Sequence, residues 1–308
     1  MFASIQMMHI PDGFLSLTIS IVAWILTIVG LYMAIGNAQK DVDERLIPLA
    51  GIIAAFIFAA QMINFPVAGG TSGHAIGATL AAIVLGPWLG ILAMTAVVVT
   101  QSLVFQDGGL VVMGANILVM GLVPAFVGYG LYRVASGRSH TAQLVMAGIA
   151  AWLSVVVASF VVALLLGFSG TSPFGVVIPA MLGVHVLIGL GEALITVAAL
   201  NFIMQTRPQT LERSATVGGR GWIVVGLTIP LIVVLFAPLA SAFPDGLEWV
   251  AGEKGFLVTA QDAPYTFLPD YTIPFLGETA FSTIVAGIVG VIIVAAFMMA
   301  AARSIRKA

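Results

Sequence analysis

Long apolar runs separated by short polar breaks dominate the chain, and most runs are close to the length of a membrane-spanning helix. Such a span needs about 20 apolar residues. Nine runs reach or approach this length, at 16–36, 46–64, 74–85, 88–105, 110–133, 141–167, 175–205, 222–243 and 281–303. The third is short, and Gly86-Pro87 separates it from the fourth. The pattern predicts an all-α polytopic membrane bundle of about seven spans with a two-span C-terminal module.

Composition agrees with a membrane protein and excludes other classes. Of the 308 residues, 60% are hydrophobic and only 8% are charged, whereas a soluble domain carries about 25% charged residues. Eleven lysines and arginines are too few to coat a phosphate lattice, so we expect no nucleic-acid partner. The chain has no cysteine, so a metal site would have to use nitrogen or oxygen ligands.

The basic residues orient the predicted helices. With nine spans and an outside N-terminus, ten of the eleven lie on the cytoplasmic side and only Lys254 lies outside. This distribution follows the positive-inside rule. Merging the third and fourth runs would split the arginine clusters between the two sides. We therefore expect a multi-pass protein of the cell (inner) membrane, embedded in lipid, with its N-terminus outside and its C-terminus in the cytoplasm.

Two polar stretches divide the chain. The first, 206–221, is rich in glycine and reads as a linker, which predicts domains at 8–217 and 218–308. The second, 244–280, lies between the last two spans on the predicted outer face. Within it, residues 244–278 carry six acidic residues against one lysine. It is either a solvated loop or a small accessory module.

Two histidines lie in segments marked by glycine and proline at the predicted outer face. His9 belongs to the stretch MHIPDGF, and His74 ends the stretch FPVAGGTSGH. Non-helical backbone at membrane depth survives only where protein buries it or where it lines a cavity. Neutral imidazole binds Co, Ni, Cu and Zn. These segments therefore predict the wall of a metal site, with a polar loop carrying incidental histidines as the alternative.

A third outer segment contains Asp107 and, nine residues later, Asn116. Either side chain could orient a metal-binding histidine from behind. The alternative is an ordinary tight turn, because Asp-Gly is a common turn sequence.

Glu192 lies in the middle of the seventh predicted span, and His185 precedes it by seven residues, so the two can share a helix face. An intramembrane acid is a functional candidate. The pair could serve a self-sufficient secondary metal or proton carrier. The alternative is a structural hydrogen bond between helices.

The second span carries small residues at helical spacing. Small side chains four residues apart allow another helix to approach closely, and they lie at Ala50, Ala54, Ala55 and Ala59. This face is a candidate docking surface for a partner subunit, and packing within the same chain is the alternative.

Several catalytic motifs are missing from the sequence. It contains no G-x-x-x-x-G-K-[ST] phosphate loop, no H-E-x-x-H and no G-x-S-x-G. We therefore expect no bound nucleotide on this chain, and an intramembrane metalloenzyme is a less favoured alternative.

Taken together, five segments resemble the membrane substrate-binding subunit of cobalt/nickel energy-coupling-factor (ECF) transporters, the CbiM/NikM family. They are MHIPDGFL (8–15), NFPVAGGTSGH (64–74), GPWLG (86–90), FQDGGL with GAN (105–116) and GLGEALIT (189–196). PDGLEWVAGEKGF (244–256) and DYTIPFL (270–276) resemble the PDGLE domain of the accessory subunit CbiN/NikN, here fused to the same chain.

The resemblance implies a transporter subunit rather than an enzyme. It would bind Co(II) or Ni(II) at the outer face for ATP-driven uptake, including the cobalt supply of cobalamin biosynthesis. A membrane coupling subunit and ATPase subunits would be its partners. The implied ligands are the α-amine of Met8, the backbone nitrogen and imidazole of His9, and the imidazole of His74. Four nitrogens in a plane suit Ni(II) and Co(II) and do not separate the two metals.

The sequence departs from the family in one place. Residues 1–7 precede the MHIPDG motif, and a peptide bond before Met8 would remove the free amine that the implied site needs. We therefore expect either that translation starts at Met8 or that the extension is trimmed.

Overall fold

The computed structural model describes residues 8–207 and 221–307, so residues 1–7 and most of the predicted 206–221 linker, with the domain boundary near 217, lie outside the described residues. A two-stranded antiparallel hairpin, β1 (Phe65–Val67) and β2 (Thr71–Gly73), joins the second and third helices. The helices are α1 (Leu17–Asp41), α2 (Leu46–Gln61), α3 (Ala78–Leu85), α4 (Pro87–Thr100), α5 (Met113–Ile117), α6 (Val123–Tyr132), α7 (His140–Phe168), α8 (Phe174–Thr206), α9 (Gly221–Val234), α10 (Gly246–Lys254) and α11 (Ala280–Lys307).

The all-α membrane prediction is confirmed. In the described residues, seven helical stretches are long and apolar enough to cross a membrane. They include two composite stretches, because π-helical turns extend α4 to Phe105 and join α5 to α6. The 16-residue α2 is a shorter apolar helix. These helices place most of the chain in a bilayer-sized bundle.

The third predicted span, 74–85, is wrong in its extent. Only Ala78–Leu85 is helical, and eight residues rise about 12 Å, well short of a bilayer core of about 30 Å. Helix α3 begins late because Gly77 adopts a left-handed backbone with φ +80°. It ends at Gly86, whose φ of +82° turns the chain into α4. His74 therefore lies in a segment without regular secondary structure, between β2 and this short helix.

The predicted docking surface on α2 is corrected by the structure. The side chains of Ala50, Ala54, Ala55 and Ala59 are completely buried within the chain. Helix α2 packs against α4, α9 and α11. The approach to α11 is close, because a Cβ at Gly51 would lie 2.5 Å from the Met299 side chain. The small residues thus allow the C-terminal helices to pack on α2, which was the alternative explanation.

The non-helical segments meet at one end of the bundle, which we call the site end. Backbone N–H groups of Leu110, Val111 and Val112 donate to the Asp12 carboxylate. The Gln261 N–H donates to the Asp12 carbonyl at 2.8 Å. The N-terminal segment, the 106–112 turn and the C-terminal module are therefore held together at this end.

Candidate metal site

A pair of reciprocal hydrogen bonds fixes the segment that carries His9. The Ile10 N–H donates to Asn116 Oδ1, and Asn116 Nδ2 donates to the Ile10 carbonyl, both at 3.0 Å. The Gly109 N–H donates to the same carbonyl. Asn116 is completely buried on α5. It therefore positions His9 through the backbone of the next residue rather than through the imidazole.

The His9 imidazole is paired with Asp107. His9 Nδ1 and Asp107 Oδ1 lie 2.6 Å apart, and both side chains are buried. Burial alone would raise the pKa of Asp107, but the neighbouring His9 and its hydrogen bond hold that pKa below its usual value. The pairing needs a glycine beside it. Gly108 has φ +98°, and a Cβ there would lie 2.9 Å from the Cβ of His9.

The other Asp107 oxygen is held by the C-terminal module. The Tyr271 hydroxyl donates to Asp107 Oδ2 at 2.6 Å. The Tyr271 ring stacks on Phe105 with centroids 4.8 Å apart. Both Asp270 and Tyr271 have left-handed backbones, with φ +48° and +55°, a conformation that costs side-chain-bearing residues of order 1 kcal/mol or more each. Such strain is typical of a segment that the surrounding structure forces into a functional position.

The His74 imidazole is paired with a carboxylate from the same module. His74 Nδ1 lies 3.2 Å from Asp245 Oδ1. Asp245 is also the N-cap of α10, because its Oδ2 accepts the Leu247 N–H. Its position is set further by Ser72 on β2, whose N–H donates to the Pro244 carbonyl at 2.8 Å.

The two imidazoles face each other across a small cavity. Their ring centroids are 5.8 Å apart. Each Nδ1 lies against a carboxylate, so in this arrangement Nε2 is the ring nitrogen that remains open to a ligand. Within the described part of the chain, His9 Nε2 is buried without a hydrogen-bond partner. The adjoining cavity of about 70 Å³ is also lined by Met8, Asn116, Asp245 and His185. That volume exceeds the roughly 30 Å³ share of one water, so it can hold an ion.

Among the described residues, no three histidine, aspartate or glutamate side chains lie close enough together to hold a metal ion. Two imidazoles therefore need further ligands from the backbone or from an amine. The chelate implied by the sequence closes through Nδ1 of His9, because Nε2 points away from the residue's own amide nitrogen. In the structure that Nδ1 faces Asp107. Chelation would therefore require Asp107 to leave Nδ1.

The structure brings together His9, His74, Asp107 and Asn116, with Met8 lining the same cavity. Their role as metal-binding groups stays a prediction. Sequence reasoning missed Asp245 and Tyr271, which contact the site from the C-terminal module. The sequence carries a signal for the helix cap alone, because Asp is favoured at helix N-caps, and that signal does not indicate the contact with His74.

Glu192 and His185 have separate partners. The Glu192 carboxylate accepts the N–H groups of Ile76 and Gly77, whereas His185 Nδ1 lies 2.8 Å from the Met181 carbonyl on its own helix. Glu192 is completely buried. For Glu192, this geometry matches the structural alternative, in which the side chain forms hydrogen bonds between elements of the fold.

Comparison with known families assigns both parts of the chain. Residues 9–210 match the model of the CbiM family, described as the cobalt uptake substrate-specific transmembrane region. Residues 220–307 match the PDGLE domain. The first match covers more than half of the chain.

Individual relatives agree with this assignment. A fused NikMN protein of Archaeoglobus fulgidus is 39% identical over 306 residues, which are 98% of this chain and 100% of the relative. The fused nickel transport protein NikMN of Rhodobacter capsulatus is 26% identical over 94% of this chain and 95% of its own length. The cobalt transport protein CbiM of Sorangium cellulosum is 33% identical over 67% of this chain and 95% of its own length.

A solved structure also resembles the chain. The crystal structure of a truncated transition metal transporter superposes with a TM-score of 0.58 at 33% identity, covering 64% of this chain and 99% of that chain. Similar proteins are thus named as metal transporters rather than enzymes. The chain belongs to the CbiM family of cobalt and nickel transport membrane proteins, and it carries a PDGLE domain fused to its C-terminal end.

Proposed function

We propose that the chain is the substrate-specific component of an ECF-type transporter and binds Co(II) or Ni(II) between His9 and His74 for ATP-driven uptake. One observation carries the proposal. Two buried imidazoles lie 5.8 Å apart beside a cavity, and each has a carboxylate against its Nδ1.

The ligand set would be completed at the N-terminal segment. When Met8 is the first residue, its amine, the amide nitrogen and Nδ1 of His9 form two fused chelate rings, and His74 Nε2 supplies the fourth nitrogen. Four planar nitrogens suit Ni(II) and Co(II) and disfavour the oxygen-seeking Mg²⁺ and Ca²⁺. Asp107 would give up Nδ1 to the metal and remain hydrogen-bonded to Tyr271, 2.6 Å away.

Energy would come from partner subunits. The family description of a substrate-specific region supports a division of labour in which a membrane coupling subunit and ATPase subunits complete the transporter. The positive-inside distribution supports an outer location for the site end. The N-terminus would then lie outside and the C-terminus in the cytoplasm.

Metal-dependent thermal unfolding tests the site. Purified protein starting at Met1 and at Met8 is heated with Ni²⁺, Co²⁺, Cu²⁺, Zn²⁺ and, as controls, Mg²⁺ and Ca²⁺. A ligand at 100 times its Kd stabilises by about 2.7 kcal/mol, so we expect Ni²⁺ and Co²⁺ to raise the Tm of the Met8 form. Equal stabilisation by Mg²⁺ would contradict the nitrogen site. Full affinity in protein with a retained Met1 would contradict the amine ligand.

Uptake tests the energy source. Cells that contain this chain with a matching coupling subunit and ATPase subunits should accumulate radioactive Ni²⁺ or Co²⁺. Cells in which the ATPase Walker lysine is replaced should not. Uptake that persists with the inactive ATPase would instead support the self-sufficient carrier.

A further inference from the structure

A carboxylate from the middle of α8 reaches the segment that follows His74. Glu192 is 1% exposed. Its Oε2 accepts the Ile76 N–H at 2.7 Å, and its Oε1 accepts the Gly77 N–H at 2.9 Å. Both oxygens of the side chain therefore accept a backbone N–H from this segment. The contact joins two elements that are 115 residues apart in the chain.

The segment that Glu192 holds has no secondary structure of its own. It lies between β2 and α3, two residues beyond His74. Backbone N–H groups at this depth must find acceptors inside the protein. Gly77 cannot be replaced by a larger residue without rearrangement, because a Cβ would lie 2.9 Å from the side chain of Ile57. The path of the chain after His74 thus depends on acceptors supplied by another helix.

A second helix holds the same segment from the other side. Gln61 Nε2, on α2, donates to the Ile76 carbonyl at 2.8 Å. The N–H and C=O of Ile76 are therefore both fixed by side chains, one from α8 and one from α2.

We propose that Glu192 is a positioning residue for His74, which fixes the imidazole at the distance and tilt required to bind metal together with His9. The inference rests on the proposed function, because it assigns a role toward the same site. Glu192 does not touch the metal. It acts through the backbone of residues 76 and 77, so its removal frees the chain that carries His74.

Polar contacts continue from this segment toward His9. Gln61 Oε1 accepts from Gln101 Nε2 at 2.8 Å. Gln101 lies beside Tyr271, whose hydroxyl bonds to Asp107. Asp107 in turn pairs with His9. One series of polar contacts therefore links the supports of the two imidazoles.

The experiment measures Ni²⁺ binding by isothermal titration and the absorption spectrum of bound Ni²⁺, using the full chain in the form that binds metal. The variants are Glu192→Ala, Glu192→Gln and His74→Ala. Thr196→Val is the matched control, because Thr196 is a buried residue one turn further along α8. We expect Glu192→Ala to weaken Ni²⁺ binding roughly 10–100-fold, as the loss of a group that orients a ligand does. Glu192→Gln keeps one acceptor oxygen and should lose less.

The spectrum separates positioning from folding. If Glu192 positions His74, the Ni²⁺ spectrum of Glu192→Ala shifts toward that of His74→Ala, while Thr196→Val matches the unaltered protein. A lower number of bound ions with unchanged Kd and spectrum would overturn the proposal, because that result describes a purely structural role. If Glu192→Ala does not fold, Glu192→Gln decides, and an unaltered Kd and spectrum in that variant would overturn it.

The same experiment separates this inference from the proposed function. Loss of binding in His74→Ala with normal binding in the Glu192 variants would overturn only the positioning role. Normal binding in His74→Ala would overturn the metal site itself.

Discussion

The two facing histidines are supported by different parts of the chain. His9 is held by the transmembrane bundle, with Asp107 on its imidazole and Asn116 on the neighbouring backbone. His74 also comes from the bundle, but the carboxylate on its imidazole is Asp245 of the PDGLE domain. Each ring therefore has a carboxylate against its Nδ1, but one carboxylate comes from the bundle and the other from the PDGLE domain.

This difference shows that the C-terminal domain contributes side chains to the surroundings of the candidate site. Its Asp245 contacts His74 directly, and its Tyr271 reaches His9 only through Asp107. The two histidines should therefore respond differently to changes in the domain. Changes in the domain should affect His74 directly, through Asp245, and should affect His9 only indirectly, through Tyr271 and Asp107.

The largest expected effect comes from removing either imidazole. His9→Ala and His74→Ala should each lower the affinity for Ni²⁺ or Co²⁺ by more than about 100-fold, beyond the 10–100-fold typical of residues that only orient a ligand. Isothermal titration of the purified variants is the measurement. His140→Ala is the control, because His140 is exposed at the start of α7. Unchanged affinity in either test variant would remove that histidine from the site.

The next effect tests the bundle's support of His9. Asp107→Ala removes the carboxylate that orients the His9 ring before the metal binds and that accepts the Tyr271 hydroxyl. Asn116→Ala removes both hydrogen bonds between the Asn116 side chain and the Ile10 backbone, and only the Gly109 N–H is left on the Ile10 carbonyl. Each should weaken Ni²⁺ binding roughly 10–100-fold. The control Asp262→Ala removes an exposed carboxylate from the segment between α10 and α11 and should leave the Kd unchanged. Equal Kd values in all of these variants would show that His9 needs no support.

The third effect tests the domain's support of His74. Asp245→Ser keeps a good N-cap for α10, whereas Asp245→Ala loses it at about 1 kcal/mol of stability. Both variants lose the contact with His74. We expect both to weaken Ni²⁺ binding about 10-fold, less than Asp107→Ala, because the Asp245 contact is 3.2 Å and that of Asp107 is 2.6 Å. Titration checks the Kd, and thermal unfolding checks the cap.

An unchanged Kd in Asp245→Ser, together with a large loss in Asp107→Ala, would contradict the comparison. The PDGLE domain would then contact the site without contributing to it.

The sequence was sufficient to predict that His9 and His74 lie at the same face as Asp107 and Asn116. Segments such as MHIPDGF and FQDGG combine glycine, proline and polar residues between apolar runs, so both the turns and their position at one face could be predicted. It was insufficient for Asp245 and Tyr271. No local pattern specifies how the segment between α9 and α11 folds back, because its path depends on contacts with Ser72 and Phe105.

The alanines of α2 show the same limit. Small residues four apart predict a close helix contact, but they do not identify the helix that makes it. In the structure α11 and α9 occupy this position. The extent of α3 was missed for a related reason, because Glu192 and Gln61 satisfy the backbone of residues 76 and 77 without a helix.

A smaller effect tests the indirect support of His9 by the domain. Tyr271→Phe removes one hydrogen bond to Asp107 and keeps the ring that stacks on Phe105. A bond of about 1 kcal/mol corresponds to a loss of roughly 5-fold in affinity. Tyr265→Phe is the matched control, because its hydroxyl bonds to the backbone at Ser102 and Leu103. A loss as large as that of His9→Ala would mean that Tyr271 acts on the metal directly.

The smallest effect concerns the pH dependence of the strained segment beside Tyr271. Burial, with Asp107, Glu278 and Asp262 nearby, raises the pKa of Asp270 to about 6 from an ordinary value of 3.8. A raised acid pKa means that ionisation destabilises the folded state. The penalty is absent below about pH 4, grows as the pH rises, and is complete above about pH 6. Asp270→Asn should therefore raise the Tm slightly at pH 7 and not at pH 4.

The control Glu253→Gln removes one negative charge from α10 of the same domain. A Tm difference between Asp270→Asn and the unaltered protein that stayed constant from pH 4 to pH 7 would show that ionisation of the carboxylate carries no penalty.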